Sequence, residues 1–150
     1  MVSKVLVVCV GNICRSPMGE RLLAARAPGV NVGSAGIAAL AGEPADATAA
    51  EVAARHGLSL DGHVARQFTP EMGEAHDLIL VMEPGHRREI VARAPHLAGR
   101  CLLFDHWTGA AAIPDPYRQD AAVFEAVFAR IDRAATAWAG KLAPRRGPGA

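Results

Sequence analysis

The sequence predicts an α/β protein built on a four-stranded parallel sheet, order 2-1-3-4, with helices on both faces. Three observations predict it. Strand-like and helix-like stretches alternate along the 150 residues, and every parallel return requires a crossover. The run Leu78-Ile-Leu-Val-Met82 is apolar without a break, as in a strand covered on both faces. Right-handed crossovers then carry the chain to one side of strand 1 and later to the other, which makes strand 1 the switch point. Ligands of open sheets bind beyond the carboxyl end of such a strand.

Taken in order, Val5 to Val10 form the first strand. Pro17 to Ala27 form a helix, with Met18, Leu22 and Ala25 on one face, Leu23 beside them and Glu20 near the positive end. Pro28-Gly29 stops it. Val30 to Ser34 alternates and reads as the second strand, followed by a small-residue connection from Ala35 to Pro44. Asp46 to His56 form the next helix, apolar at Ala49, Ala50, Val52 and Ala53, with Gly57 as C-cap. Leu58 to Gln67 is loop, and Thr69-Pro70-Glu71 opens a short helix. Asp77 to Met82 is the third strand, Pro84 to Ala94 a helix, and Arg100 to Phe104 the fourth strand. A loop from Asp105 to Tyr117 sets Asp115 between Pro114 and Pro116. The closing helix, Ala121 to Lys141, buries Val123, Val127, Ile131 and Trp138. Residues 1–143 make a single domain, and residues 144–150, rich in proline, glycine and arginine, form a loose tail.

Composition narrows the function. With 51% hydrophobic and 21% charged residues the chain reads as an ordinary soluble globular protein. Sixteen basic residues against fifteen acidic ones leave a net charge of +1, which offers no basic field for nucleic acid or an anionic membrane. Cys9, Cys14 and Cys101 are odd in number and lack zinc-site spacing, so a reducing cytoplasm is expected and neither metal nor cofactor is. The apolar start is too short for a signal segment, and no stretch is long enough to enter a membrane. A monomer is favoured. His56, His76, His86, His96 and His106 read as surface or helix-end histidines, and Cys101 as buried and inert.

The chemistry is concentrated after the first strand, where Cys9 and Arg15 stand five residues apart. A cysteine between a strand and a helix start faces outward-pointing amides, which favour the thiolate. The alternative reading is a small buried hydrophobe. The amides of Val10, Gly11, Asn12, Ile13, Cys14, Arg15 and Ser16 can surround a tetrahedral dianion, with the Arg15 fork closing the ring. Gly11 supplies the backbone freedom for a concave loop, and Asn12 tolerates a left-handed turn. Ser16 has two tasks open to it: capping the helix that Pro17 begins, or donating its hydroxyl to the Cys9 sulfur. A phosphate ester held there presents phosphorus to the sulfur from behind its ester bond, and Asp115 can reach the crevice to protonate the leaving oxygen.

Cys9-x5-Arg15-Ser16, Ser34-Ala-Gly36, His63-Val-Ala-Arg-Gln67 and Asp115-Pro-Tyr117 together resemble the low-molecular-weight protein tyrosine phosphatases over nearly the whole chain. The resemblance implies a flavodoxin-like three-layer fold, Cys9 as nucleophile, Arg15 as clamp and Asp115 as general acid, then base. It also implies a supporting network of Asn12, Ser16, Ser34 and His63, and a reversible disulfide between Cys9 and Cys14. The pocket rim would be Ile13, Leu40, Tyr117 and Trp107, although Trp107 also reads as core. Arg118 after Tyr117, with His106-Trp107 upstream, resembles the bacterial branch that acts on membrane tyrosine autokinases of capsule and exopolysaccharide export. Such a partner is a tyrosine-phosphorylated protein. Arsenate reductases of the same fold need two further cysteines after the third strand, and Met82 to Glu89 has none. Phosphoarginine phosphatases favour a small polar residue where Ile13 stands. A non-enzymatic phosphate-binding module would leave the cysteine and the acid without purpose.

Overall fold

The computed structural model describes residues 1–143, so the predicted tail lies outside the described residues. Four strands, β1 (Lys4–Cys9), β2 (Asn31–Gly36), β3 (Leu78–Val81) and β4 (Cys101–Leu103), form one parallel sheet in the order β2-β1-β3-β4. Five helices connect or cover them: α1 (Arg15–Arg26), α2 (Ala47–Arg55), α3 (Pro70–Glu74), α4 (Pro84–Arg93) and α5 (Ala121–Leu142). The expected topology is therefore the observed one.

β1 alternates its side chains between two cores, as the two-residue period of a strand demands. Val5, Val7 and Cys9 join α1, α2 and α5 on one face, while Leu6 and Val8 join Ile90 and Leu97 on the other. Removing each such aliphatic side chain from water contributes about 1.5–3 kcal/mol. The central strand is thereby fixed on both sides, and the last β1 residue, Cys9, pairs with Gly36 at the carboxyl edge of the sheet.

Several details differ from expectation. Helix α1 begins at Arg15, two residues before Pro17, because the loop winds directly into it; Cys14 takes the N-cap position without a side-chain bond. Ser16 is therefore inside the helix and not its cap. Ala25 is exposed, and the buried face of α1 is Met18, Leu22 and Leu23. On α5 the stripe is centred on Phe124, Val127, Phe128, Ile131 and Trp138, with Val123 at its half-buried margin. The two phenylalanines supply more apolar area than Val123, so the helix rotates to bury them. A 3-10 helix over Pro95–Arg100, unforeseen in the sequence, leads into β4. The caps expected at Asp46 and Thr69 form, the first accepting from the amides of Thr48 and Ala49 at 2.9 and 3.0 Å. His76 and His86 are buried, against the surface reading. Cys101 is fully buried, and burial pushes its thiol up to about 11.

Candidate active site

The loop between β1 and α1 turns every one of its carbonyls away from its centre. Cys9 O accepts from Ile37 N at 3.0 Å, Val10 O from Ala38 N at 3.0 Å, Gly11 O from Leu40 N at 3.0 Å and Ile13 O from Asp46 N at 2.9 Å. The Asn12 carbonyl takes the Nε2–H of His63 at 2.6 Å. The carbonyls are thus tied to neighbouring segments. Among the described residues no acceptor takes the amides of Gly11 to Cys14. The left-handed position is Asn12, at φ 60°; Gly11 has no positive φ, so the freedom expected of the glycine is used by the asparagine. A Cβ on Gly11 would make only ordinary contacts with Ile13 and Leu40.

Asn12 also organises the side chains beneath the loop. Its Oδ1 accepts from Arg66 N at 2.9 Å, and its Nδ2 donates to Ser16 Oγ at 2.8 Å and Ser34 Oγ at 3.0 Å. Ser34 passes its own proton to Glu20 Oε1 at 2.6 Å. Ser16 Oγ accepts from Asn12 and also stands 2.9 Å from the Cys9 sulfur, a contact in which its hydroxyl can donate to a thiolate. The four network residues expected from the sequence, Asn12, Ser16, Ser34 and His63, thus meet. Glu20 ends the chain and was missed, although it lies one helical turn from Ser16 on the same face.

Gly36 explains the small-residue motif after Ser34. A Cβ there would sit 2.3 Å from Val10 O, inside the contact distance of the loop backbone. Gly36→Ala is expected to cost about 1–3 kcal/mol of stability, as overpacking does, and to raise KM for aryl phosphates. Thermal melting and steady-state kinetics check both.

Arg15 is buried, 1% exposed, yet lines the cavity above the loop. Its Nη1 is engaged from behind, by Glu83 Oε2 at 2.6 Å and Ile113 O at 2.8 Å. Nη2 lies 3.7 Å from Asp115 Oδ2. Asp115 in turn accepts from Tyr117 N at 3.1 Å, as a turn-capping aspartate does, and it lines the cavity. The cavity, about 310 Å³, is lined by Cys9, Cys14, Arg15 and Asp115 together with Ile13, Leu40, Tyr117 and Arg118 among others. Burial first, then the nearby Asp46 carboxylate, push the Cys14 thiol up from its ordinary range. Trp107 does not line the cavity. It packs edge-on against Trp138, ring centroids 5.5 Å apart, under the Lys141 ammonium, because the α5 indole offers it a larger apolar partner.

Residues 4–146 match the family described as low molecular weight phosphotyrosine protein phosphatase. The chain belongs to that family. It is 52% identical over 140 residues to the low molecular weight protein-tyrosine-phosphatase Etp of Escherichia coli, covering 93% of this chain and 95% of that protein. The solved structure of Vibrio vulnificus Wzb in complex with benzylphosphonate superposes with a TM-score of 0.93 at 48% identity, covering 95% of this chain and all of the other. A YwlE arginine phosphatase from Geobacillus stearothermophilus aligns more distantly, at 31% identity and a TM-score of 0.88 over 93% of this chain and 92% of that one. This low molecular weight phosphatase accordingly has the family's flavodoxin-like fold and is a phosphoric monoester hydrolase. Among its described residues no helix is long and apolar enough to cross a membrane.

Proposed function

We propose that this phosphatase hydrolyses phosphotyrosine in proteins through a cysteinyl-phosphate intermediate, with Cys9 as nucleophile, Arg15 as clamp and Asp115 as acid and base. The outward anchoring of the loop carbonyls carries this reading, since amides held in place need no reorganisation as charge develops. The amides from Val10 to Ser16 and the Arg15 fork hold the three non-bridging oxygens. Sulfur attacks phosphorus in line; the Sγ–P bond forms as the P–O bond to the tyrosine breaks, and the electron pair leaves with the phenolic oxygen. Asp115 protonates that oxygen. Its carboxylate then takes a proton from the attacking water as the P–S bond breaks and the pair returns to sulfur. The Ser16 hydroxyl, 2.9 Å away, steadies the thiolate before attack and after release.

Ile13, Leu40 and Tyr117 offer apolar surface to the phenyl ring of the substrate. That lining suits an aromatic phosphoester better than a phosphoguanidinium, in keeping with the higher identity to Etp than to the YwlE arginine phosphatase. The protein substrate we infer is a tyrosine autokinase of polysaccharide export, acting in the cytoplasm, an inference supported by Tyr117-Arg118 and the likeness to Etp and Wzb. Phosphotyrosyl autokinase is expected to be dephosphorylated much faster than a phosphoarginyl protein at equal concentration; the reverse order would overturn the assignment.

Asp115→Ala tests the acid. Loss of a positioned acid costs about 10²- to 10⁴-fold, and the larger loss is expected for phosphate esters with poor leaving groups. Rates for a series of aryl phosphates graded by phenol acidity check it. An equal loss across the series would remove Asp115 from that role.

A further inference from the structure

His86 opens the first turn of α4 and lies behind the catalytic arginine. Its ring is 5% exposed, and its Nε2 stands 3.3 Å from Glu83 Oε2, the same oxygen that accepts from Arg15 Nη1 at 2.6 Å. The other ring nitrogen, Nδ1, is buried without any hydrogen-bond partner. A proton on Nδ1 would be a buried donor with no acceptor, so the single proton of the neutral ring belongs on Nε2, facing Glu83. Burial first, and the Arg15 charge next, lower the imidazole from its usual range, while Glu83 and Asp115 act the other way. A buried imidazole thus stands in close contact, at 3.3 Å, with a carboxylate that is itself half exposed and that Arg15 holds from the other side.

We propose that His86 is a positioning residue for the reaction: its buried imidazole fixes the Glu83 carboxylate, which in turn fixes the Arg15 guanidinium against the bound phosphoryl group. Two segments form this relay: Arg15 on α1, and the start of α4, where Glu83 is the N-cap and His86 stands three residues further on. Ile113 O holds the same Arg15 Nη1 from the loop that carries Asp115, at 2.8 Å. An arginine tethered at one nitrogen by two acceptors keeps its outer edge aimed at the cavity, whereas one tethered by the carbonyl alone can rotate. The inference rests on the reading of Arg15 as the phosphate clamp.

The test is a double-mutant cycle with an aryl phosphate as substrate and inorganic phosphate as competitive inhibitor. His86→Leu removes the donor at similar volume and is expected to lower kcat about tenfold, within the usual coupling of residues in contact, and to weaken phosphate inhibition. His86→Gln, whose amide nitrogen can reach the position of Nε2, is expected to recover most of that loss. In a Glu83→Gln background His86→Leu is expected to add nothing further, a non-additivity that a merely structural role would not produce. If His86→Leu does not fold, the cycle is run with His86→Asn, whose shorter amide does not reach Glu83. Wild-type kcat in the histidine variant, or losses that multiply in the double variant, would overturn the relay. Where Arg15→Lys leaves kcat unchanged the clamp itself fails; where Arg15→Lys is inactive and His86→Leu is unimpaired, only the relay fails.

Discussion

Cys9→Ser is expected to abolish turnover of aryl phosphates, lowering kcat by at least about 10⁴-fold, the scale on which loss of a covalent nucleophile is felt. Serine is nearly the shape of cysteine, and the site is only 3% exposed, so the loop has no reason to rearrange. What changes is the nucleophile. A hydroxyl ionises far less readily than a thiol, and its neighbour 2.9 Å away, Ser16 Oγ, is a neutral hydroxyl with no basicity to remove its proton. The amides remain where the outward carbonyl bonds hold them, so the variant is expected to bind inorganic phosphate with little loss. Calorimetric binding together with a kinetic assay separates the two effects. Retained turnover in this variant would contradict the nucleophile, and lost phosphate binding would contradict the rigidity of the cradle.

Arg15→Lys is expected to have the next largest effect, about 10³- to 10⁵-fold in kcat, the range found for arginines that meet the charge of a transferring phosphoryl group. The native guanidinium has two tasks at once. One nitrogen is bound from behind by Glu83 and Ile113 O, and the side chain lines the cavity. An ammonium is a single point of charge on a flexible stem and cannot hold its tether and fork two phosphate oxygens together. Because Glu83 is 40% exposed, water can satisfy it when the guanidinium is gone, so the fold is expected to survive. A loss below tenfold, with unchanged phosphate inhibition, would remove Arg15 from the clamp.

The features legible in the sequence are those written within a few residues. Cys9, Arg15 and the loop between them form one short segment, and strand 1 as the switch point told where that segment must lie. The 2-1-3-4 order followed from alternation and handedness alone. The distant motif residues Ser34 and His63 carried no such local sign, and it was the joint pattern that tied them to the loop, whereas Asp115 was brought to the crevice by its place between two prolines after the fourth strand. Glu83 and Ile113 O were illegible because they reach Arg15 across 68 and 98 positions, and no periodicity encodes such a meeting. Ser16 was given two tasks, helix cap and donor to the sulfur, and the helix starting at Arg15 removes the first. Trp107 sits four residues after β4 ends, in a turn near the acid loop, and only the position of Trp138 on α5 shows that it turns away from the pocket. His86, read as a surface or helix-end histidine, does stand at a helix end but is buried there, with its ring against Glu83.

The most direct measurement is rapid acid quench of the wild-type enzyme during turnover of an aryl phosphate, followed by mass spectrometry of its peptides. One phosphoryl group on the peptide containing Cys9, borne by sulfur and absent from Cys9→Ser, is the expected result. Steady turnover with no phosphoryl-enzyme at any quench time, or with the group on another residue, would contradict the account.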